Sequence, residues 1–90
     1  MYQNVRARRY TGTGPCGVGR ARLGQALITT TNGVLARVTI TDGQGGPVLF
    51  DADYNTDTHL TNIPGDGVLF ENDPYISVAS NVTAMTLFFM

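Results

Sequence analysis

Apolar and polar residues alternate along most of this chain, and Gly, Pro, Asn or Asp interrupts the alternation every few positions. Such a period belongs to β-strands, whose successive side chains point to opposite faces. The clearest case is Val34 to Thr41, where Ala36, Val38 and Ile40 share one face and Arg37, Thr39 and Thr41 the other. Ala26 to Thr31 is also strand-like, and Asn32-Gly33 between the two runs is the dipeptide favoured in two-residue type I′ turns. The spacing predicts a β-hairpin over Ala26 to Thr41.

The same rule predicts four further runs. Pro47 to Asp53 places Val48, Phe50 and Ala52 inward and Leu49, Asp51 and Asp53 outward. Its leading proline is acceptable because no donor is lost from the middle of a ladder. Thr58 to Ile63 has Leu60 inward and His59 opposite, and ends in the tight sequence Ile63-Pro64-Gly65-Asp66-Gly67. Val68 to Phe70 leads through Glu71-Asn72-Asp73-Pro74 into Tyr75 to Ser80, where Ile76 and Val78 alternate with Tyr75, Ser77 and Ala79.

The last run, Thr83 to Met90, has two apolar faces. Met85, Leu87 and Phe89 lie on one, and Ala84, Phe88 and Met90 on the other, with Thr86 the only polar member of that second face. A half-buried strand needs one apolar face. Either this strand is central and covered on both sides, or its second face meets another protein.

These seven to eight short strands, with no helical stretch of useful length, predict an all-β fold: a compact antiparallel β-sandwich or jelly-roll-like arrangement. Residues 1–23 read as an Arg- and Gly-rich extended N-terminal arm and loop, and 24–90 as the sandwich domain. Ninety residues make one domain, small enough for self-association to add stability. Open edges and a second apolar face point to a homo-oligomer, with a trimer favoured.

Composition changes the picture in one respect. Charged residues are only 14% of the chain, against about a quarter ordinarily, and they are segregated. Arg6, Arg8, Arg9, Arg20, Arg22 and Arg37 all precede Asp42, Asp51, Asp53, Asp57, Asp66, Glu71 and Asp73. Two consequences are open: neighbouring strands pair the two sets within the fold, or a basic end meets an acidic neighbour, including a copy of the same chain. No apolar run reaches the roughly 18 residues of a membrane span and no leader pattern is evident, so cytoplasmic synthesis and no membrane are expected. Cys16 has no second cysteine to pair with.

Candidate chemistry is sparse. The arm's arginines are too few, in a slightly acidic chain, to favour nucleic acid; contact with a partner protein through Arg6, Arg8 and Arg9 is the better assignment. Gly12, Gly14, Gly17 and Gly19 suggest a phosphate loop, but such a loop needs a following helix and usually a Lys, and the chain has no Lys. A flexible surface loop, ordered only in an assembly, is expected instead. Asp51, Asp53, Asn55 and Asp57 have the alternation that opens a calcium loop, yet Thr56 and Asn62 stand where Gly and Glu are required. No metal, cofactor or catalytic residue is therefore assigned. His59 has no nucleophile fixed beside it, and Asn81-Val82-Thr83 is a sequon in a chain without a secretion signal.

The progression from Gly33-Val34-Leu35 through VTITDGQGGPVLFDAD and TDTHLTNIPGDGVLFENDPYISV to TAMTLFF resembles a group of short structural proteins of tailed bacteriophages. Gly67, Val68, Phe70, Tyr75, Thr83, Thr86 and Phe89 occupy the matching places, over residues 24–90. The chain departs from the pattern where Asp73-Pro74 replaces a Gly-Leu pair before the tyrosine. The resemblance implies a non-enzymatic virion protein, foremost a capsid decoration or cement protein bound to the major capsid protein or another virion protein, with a tail, baseplate or fibre component as the alternative. Phe88 and Met90 are then the expected subunit contact. Two rivals from other classes are a carbohydrate-binding module, which would need Tyr10, Tyr54 and Tyr75 as its stacking surface, and a small glycosidase-like enzyme built on paired acids.

Overall fold

The computed structural model describes residues 6–30, 35–54, 58–65 and 67–90, with the backbone alone at positions 58 and 59. Nine strands lie among the described residues: β1 (Arg6–Tyr10), β2 (Gly14–Pro15), β3 (Ala21–Thr30), β4 (Ala36–Asp42), β5 (Val48–Tyr54), β6 (Thr58–Asn62), β7 (Val68–Phe70), β8 (Pro74–Ser80) and β9 (Val82–Phe89). They form two antiparallel sheets packed as a β-sandwich. Sheet A runs β1-β9-β3-β6, with β7 also paired to β3, and sheet B runs β2-β8-β4-β5.

The core lies between the sheets. Sheet A supplies Leu23, Ala26, Ile28, Phe70, Met85, Leu87 and Phe89, and sheet B supplies Ala36, Val38, Ile40, Tyr54 and Ile76. Ala36, Val38 and Ile40 and, in the last run, Met85, Leu87 and Phe89 are buried as predicted. Thr39 and Thr41, expected to face solvent, are buried as well, as is Ala84 on the second face of β9. β9 is central, between β1 and β3. The cross-links between layers include Tyr54 Oη to Thr61 Oγ1 at 2.9 Å and Tyr10 Oη donating to the Cys16 carbonyl at 2.7 Å.

Three expectations are corrected. The strands flanking Asn32-Gly33 do not form a hairpin: β3 pairs with β6, β7 and β9, while β4 pairs with β5 and β8 in the other sheet. The turn itself falls outside the described residues. Alternation defines each strand's buried face but not its partner, and here the chain changes layer between the two strands. Second, Val48 is 55% exposed, and Leu49 packs against the core. An irregularity between Ile40 and Thr41, which pair with Phe50 and Val48, leaves two strand steps of β5 against one of β4 and reverses the parity at its start. Third, Leu60 is 56% exposed, because its partner Leu27 lies on the outer face of sheet A.

The N-terminal region also differs from an arm followed by a domain. Arg6–Tyr10 is an edge strand of sheet A on β9, and the boundary at residue 23 falls inside β3, whose Ala21 and Leu23 are buried. Residues 1–5 lie outside the described residues.

Candidate functional site

Two packed sheets bury one face of each against the other, and among the described residues no further strand lies over the outer face of sheet A. Register fixes its membership. Ala7 is opposite Phe88, Arg9 opposite Thr86, Gln25 opposite Phe88 and Leu27 opposite both Thr86 and Leu60. Met90 continues the ladder beyond β9: its N–H donates to the Arg22 carbonyl at 2.8 Å and its carbonyl accepts from the Arg22 N–H at 3.3 Å. Phe88 and Met90 are half-buried, and Leu60 and Arg22 are exposed on this same face.

Phe88 and Met90 line a cleft of about 300 Å³ together with Gly24, Ile63 and Gly65. The register of β3 against β9 shifts between Leu23 and Gln25, so Gly24 sits at a bulge, where strands bend and side chains are re-aimed. A Cβ at Gly24 would stand 2.7 Å from the Met90 Cε, so the glycine makes room for the Met90 methyl. The rim is polar: Gln25 Nε2 donates to Asn62 Oδ1 at 2.6 Å.

The five residues expected to contact partners therefore divide. Phe88, Met90 and Arg9 share the outer face of sheet A. Arg6 and Arg8, opposite Phe89 and Leu87, have the parity of the inner face but are exposed, since β2 in the facing sheet has only two residues. Arg22, Gln25, Leu27, Leu60, Asn62 and Ile63 join this surface without having been singled out in sequence. The signal for Leu27 and Leu60 was present in their apolarity, but their face depended on strand order.

The charges of the other half are partly consumed within the fold. Arg37 Nη2 donates to Asp51 Oδ2 at 2.9 Å and Nε to Oδ1 at 3.2 Å, while Thr39 Oγ1 donates to Oδ1 at 2.9 Å. The hydrogen bonds from Arg37 and then Thr39 hold the Asp51 carboxyl below its usual range. Arg20 and Glu71 approach at 3.6 Å, both largely exposed. Arg37 thus has a cross-strand partner in Asp51, and Arg20 an exposed one in Glu71 just beyond the strand ends. No ion pair joins Arg6, Arg8, Arg9 or Arg22 to another described residue. Asn55 and Asp57 of the calcium-like alternation lie outside the described residues.

The glycine-rich loop is ordered within the subunit. Gly17 N donates to Asp73 Oδ2 at 2.8 Å, and Val18 N and Gly19 N donate to Oδ1 at 2.7 and 2.9 Å. Gly17 and Gly19 have φ of 76° and 70°, which turns three successive N–H groups to one side as an anion nest. The anion it holds is the chain's own carboxylate. Cys16 N to the Pro74 carbonyl at 2.8 Å and Gly43 N to the Asp73 carbonyl at 3.1 Å tie the same end together. The expected flexible loop is therefore corrected: Asp73 is its anchor.

Cys16 lies beneath this loop. Burial pushes its thiol up to about 11, partly offset by Tyr10, and burial foremost raises Tyr10 as well. At pH 8 only about one thiol in a thousand is ionised, so the native protein is expected to resist a disulfide reagent that labels the unfolded chain at once. A free thiol ionises near pH 8.5. Because the folded value is the higher one, Cys16's contribution is complete below pH 8.5 and is lost as pH rises toward 11. Denaturant titrations at pH 7 and pH 10 should differ more for wild type than for Cys16→Ala, by on the order of 1 kcal/mol.

No family model, curated protein or solved structure matches the chain.

Proposed function

We propose that this protein is a non-enzymatic structural subunit that attaches to a larger protein assembly through the outer face of sheet A. The observation that carries this reading is the second face of β9, where Phe88 and Met90 border an open cleft and continue into Leu27 and Leu60, with no further strand of the described residues above them. Apolar surface beside Arg9 and Arg22, which have no ion pair with another described residue, is the composition of a protein-binding patch: anchors at the centre and cations at the rim.

The setting that fits best is a virion, with the protein as a decoration or cement subunit on the capsid lattice and the major capsid protein as its partner. Support comes from the sequence resemblance and from the economy of the design, in which one modest patch is multiplied by the symmetry of a lattice. The carbohydrate-binding alternative loses ground because, of the three tyrosines it needs, Tyr10 donates to Cys16 and Tyr54 is buried against Thr61. A paired-acid enzyme is disfavoured by the engagement of Asp51 with Arg37 and of Asp73 with the loop.

The test is cosedimentation with particles assembled from the capsid proteins of the same genome. Wild type should bind to saturation at a stoichiometry that matches the lattice. Phe88→Ser with Met90→Ser should weaken binding by about 10- to 100-fold, as expected for two apolar anchors, with little change in melting temperature. Equal occupancy by the double variant, or no saturable binding by wild type, would refute the attachment role.

A further inference from the structure

The two sides of the sandwich end in strand edges of opposite charge. Among the described residues β1 pairs only with β9 and β5 only with β4, so each leaves one row of backbone groups without a strand partner. The two edges lie on opposite sides. Tyr10 of β1 bonds Cys16 just past β2, whereas Tyr54 of β5 bonds Thr61 of β6, so β1 stacks near β2 and β5 near β6. Along β1, Arg6, Arg8 and Arg9 are exposed and have no acidic partner among the described residues. Along β5, Asp51 and Asp53 are exposed and share the single guanidinium of Arg37, at 2.9 and 4.0 Å.

Charged residues on an edge strand ordinarily prevent edge-to-edge pairing. Here like charge opposes β1 against β1 and β5 against β5, but β1 against β5 joins opposite charges. The spacing matches: Arg6 and Arg8 are two residues apart on one face of β1, and Asp51 and Asp53 are two apart on one face of β5. Antiparallel alignment sets Arg6 opposite Asp53 and Arg8 opposite Asp51 on one face of the joined sheet, where opposite charges stabilise a pair.

The faces are also compatible. Arg6 and Arg8 take the parity of the inner face of sheet A, shown by their partners Phe89 and Leu87. Asp51 and Asp53 take the outer face of sheet B, opposite Thr39 and Arg37. Joining sheet A of one copy to sheet B of the next therefore displaces the second sandwich by one sheet spacing, about 10 Å, and the two bodies step clear of each other.

We propose that copies of this chain associate head to tail, the basic edge β1 of one against the acidic edge β5 of the next. Because the two surfaces differ, the contact is heterologous and propagates as a closed ring or an open chain. Exposed ion pairs make it salt-dependent. It uses none of the attachment residues Phe88 and Met90, so the two proposals fail separately.

The test is mass by light scattering and sedimentation velocity over a wide range of concentration, at low and high salt. Wild type should exceed the monomer mass at low salt and return toward it at high salt. Arg6→Glu with Arg8→Glu should stay monomeric, as should Asp53→Arg with Asp51→Asn, the latter keeping an acceptor for Arg37 and Thr39. Mixed in equal amounts, the two variants should regain association in even-numbered or alternating species, and one chain carrying both sets should associate by itself. The milder pair Arg6→Gln and Arg8→Gln should weaken association by about tenfold. A wild type that is monomeric at low salt overturns the proposal. So does either charge-reversed variant that associates like wild type, or a mixture of folded variants that gains no mass.

Discussion

Phe89→Ala is expected to destabilise the protein by about 3–5 kcal/mol, while Phe88→Ala, one residue away on the same strand, should cost less than about 1 kcal/mol. Phe89 is fully buried in the core between the sheets and is paired with Leu23 and Arg6 across β9. Its removal leaves a cavity that neighbours in regular strands cannot easily fill. Phe88 faces the outer side of the same sheet, and its truncation changes the cleft it lines with Gly24 and Met90 while leaving the core intact. For a domain whose total stability is about 5–15 kcal/mol, the first change consumes a large share and the second little. Urea unfolding of both variants reads the difference directly. Equal losses would mean that β9 is covered on both sides.

Asp73→Ala should destabilise by about 2–4 kcal/mol, a large effect for a polar residue that is not in the core. Its carboxylate accepts from Gly17, Val18 and Gly19, and hydrogen bonds to charged groups are the stronger ones. Without it three N–H groups converge on nothing, and the left-handed conformations at Gly17 and Gly19 lose their reason. Asp73→Asn keeps one acceptor oxygen and should lie between. The local signature is specific: amide exchange at residues 17–19 should accelerate well beyond that of β4, and inorganic phosphate at high concentration should restore part of the protection in Asp73→Ala by taking the vacated nest. Unchanged exchange at those amides would contradict the anchoring role.

Strand character and strand faces were legible wherever the alternation ran unbroken. Ala36, Val38 and Ile40 could be assigned inward, and Met85, Leu87 and Phe89 likewise, because a single register relates every second residue. Val48 and Leu49 were misassigned because a bulge adds one residue to the count, and the pattern of a single strand contains no mark of where its partner loses step. Leu60 was misassigned for a different reason: its face is set by pairing with β3, a choice made across the whole fold. Asn32-Gly33 carries a strong local preference, yet the partners of β3 and β4 lie in different layers, and the summed pairing with β9 and β8 decides the outcome. The anion nest was the least visible feature. Its glycines were apparent, but the carboxylate that organises them lies more than fifty residues away, beyond any local rule. The two apolar faces of Thr83 to Met90, by contrast, carried the candidate surface in the sequence itself.

Electron cryomicroscopy of capsid particles incubated with the wild-type protein tests the attachment role most directly. The account predicts ordered density at symmetry-related positions, with the outer face of sheet A toward the lattice and the Phe88–Met90 cleft filled by a capsid side chain. Particles with no added density, or density that meets the capsid through the outer face of sheet B while Phe88 and Met90 remain open to solvent, would contradict it.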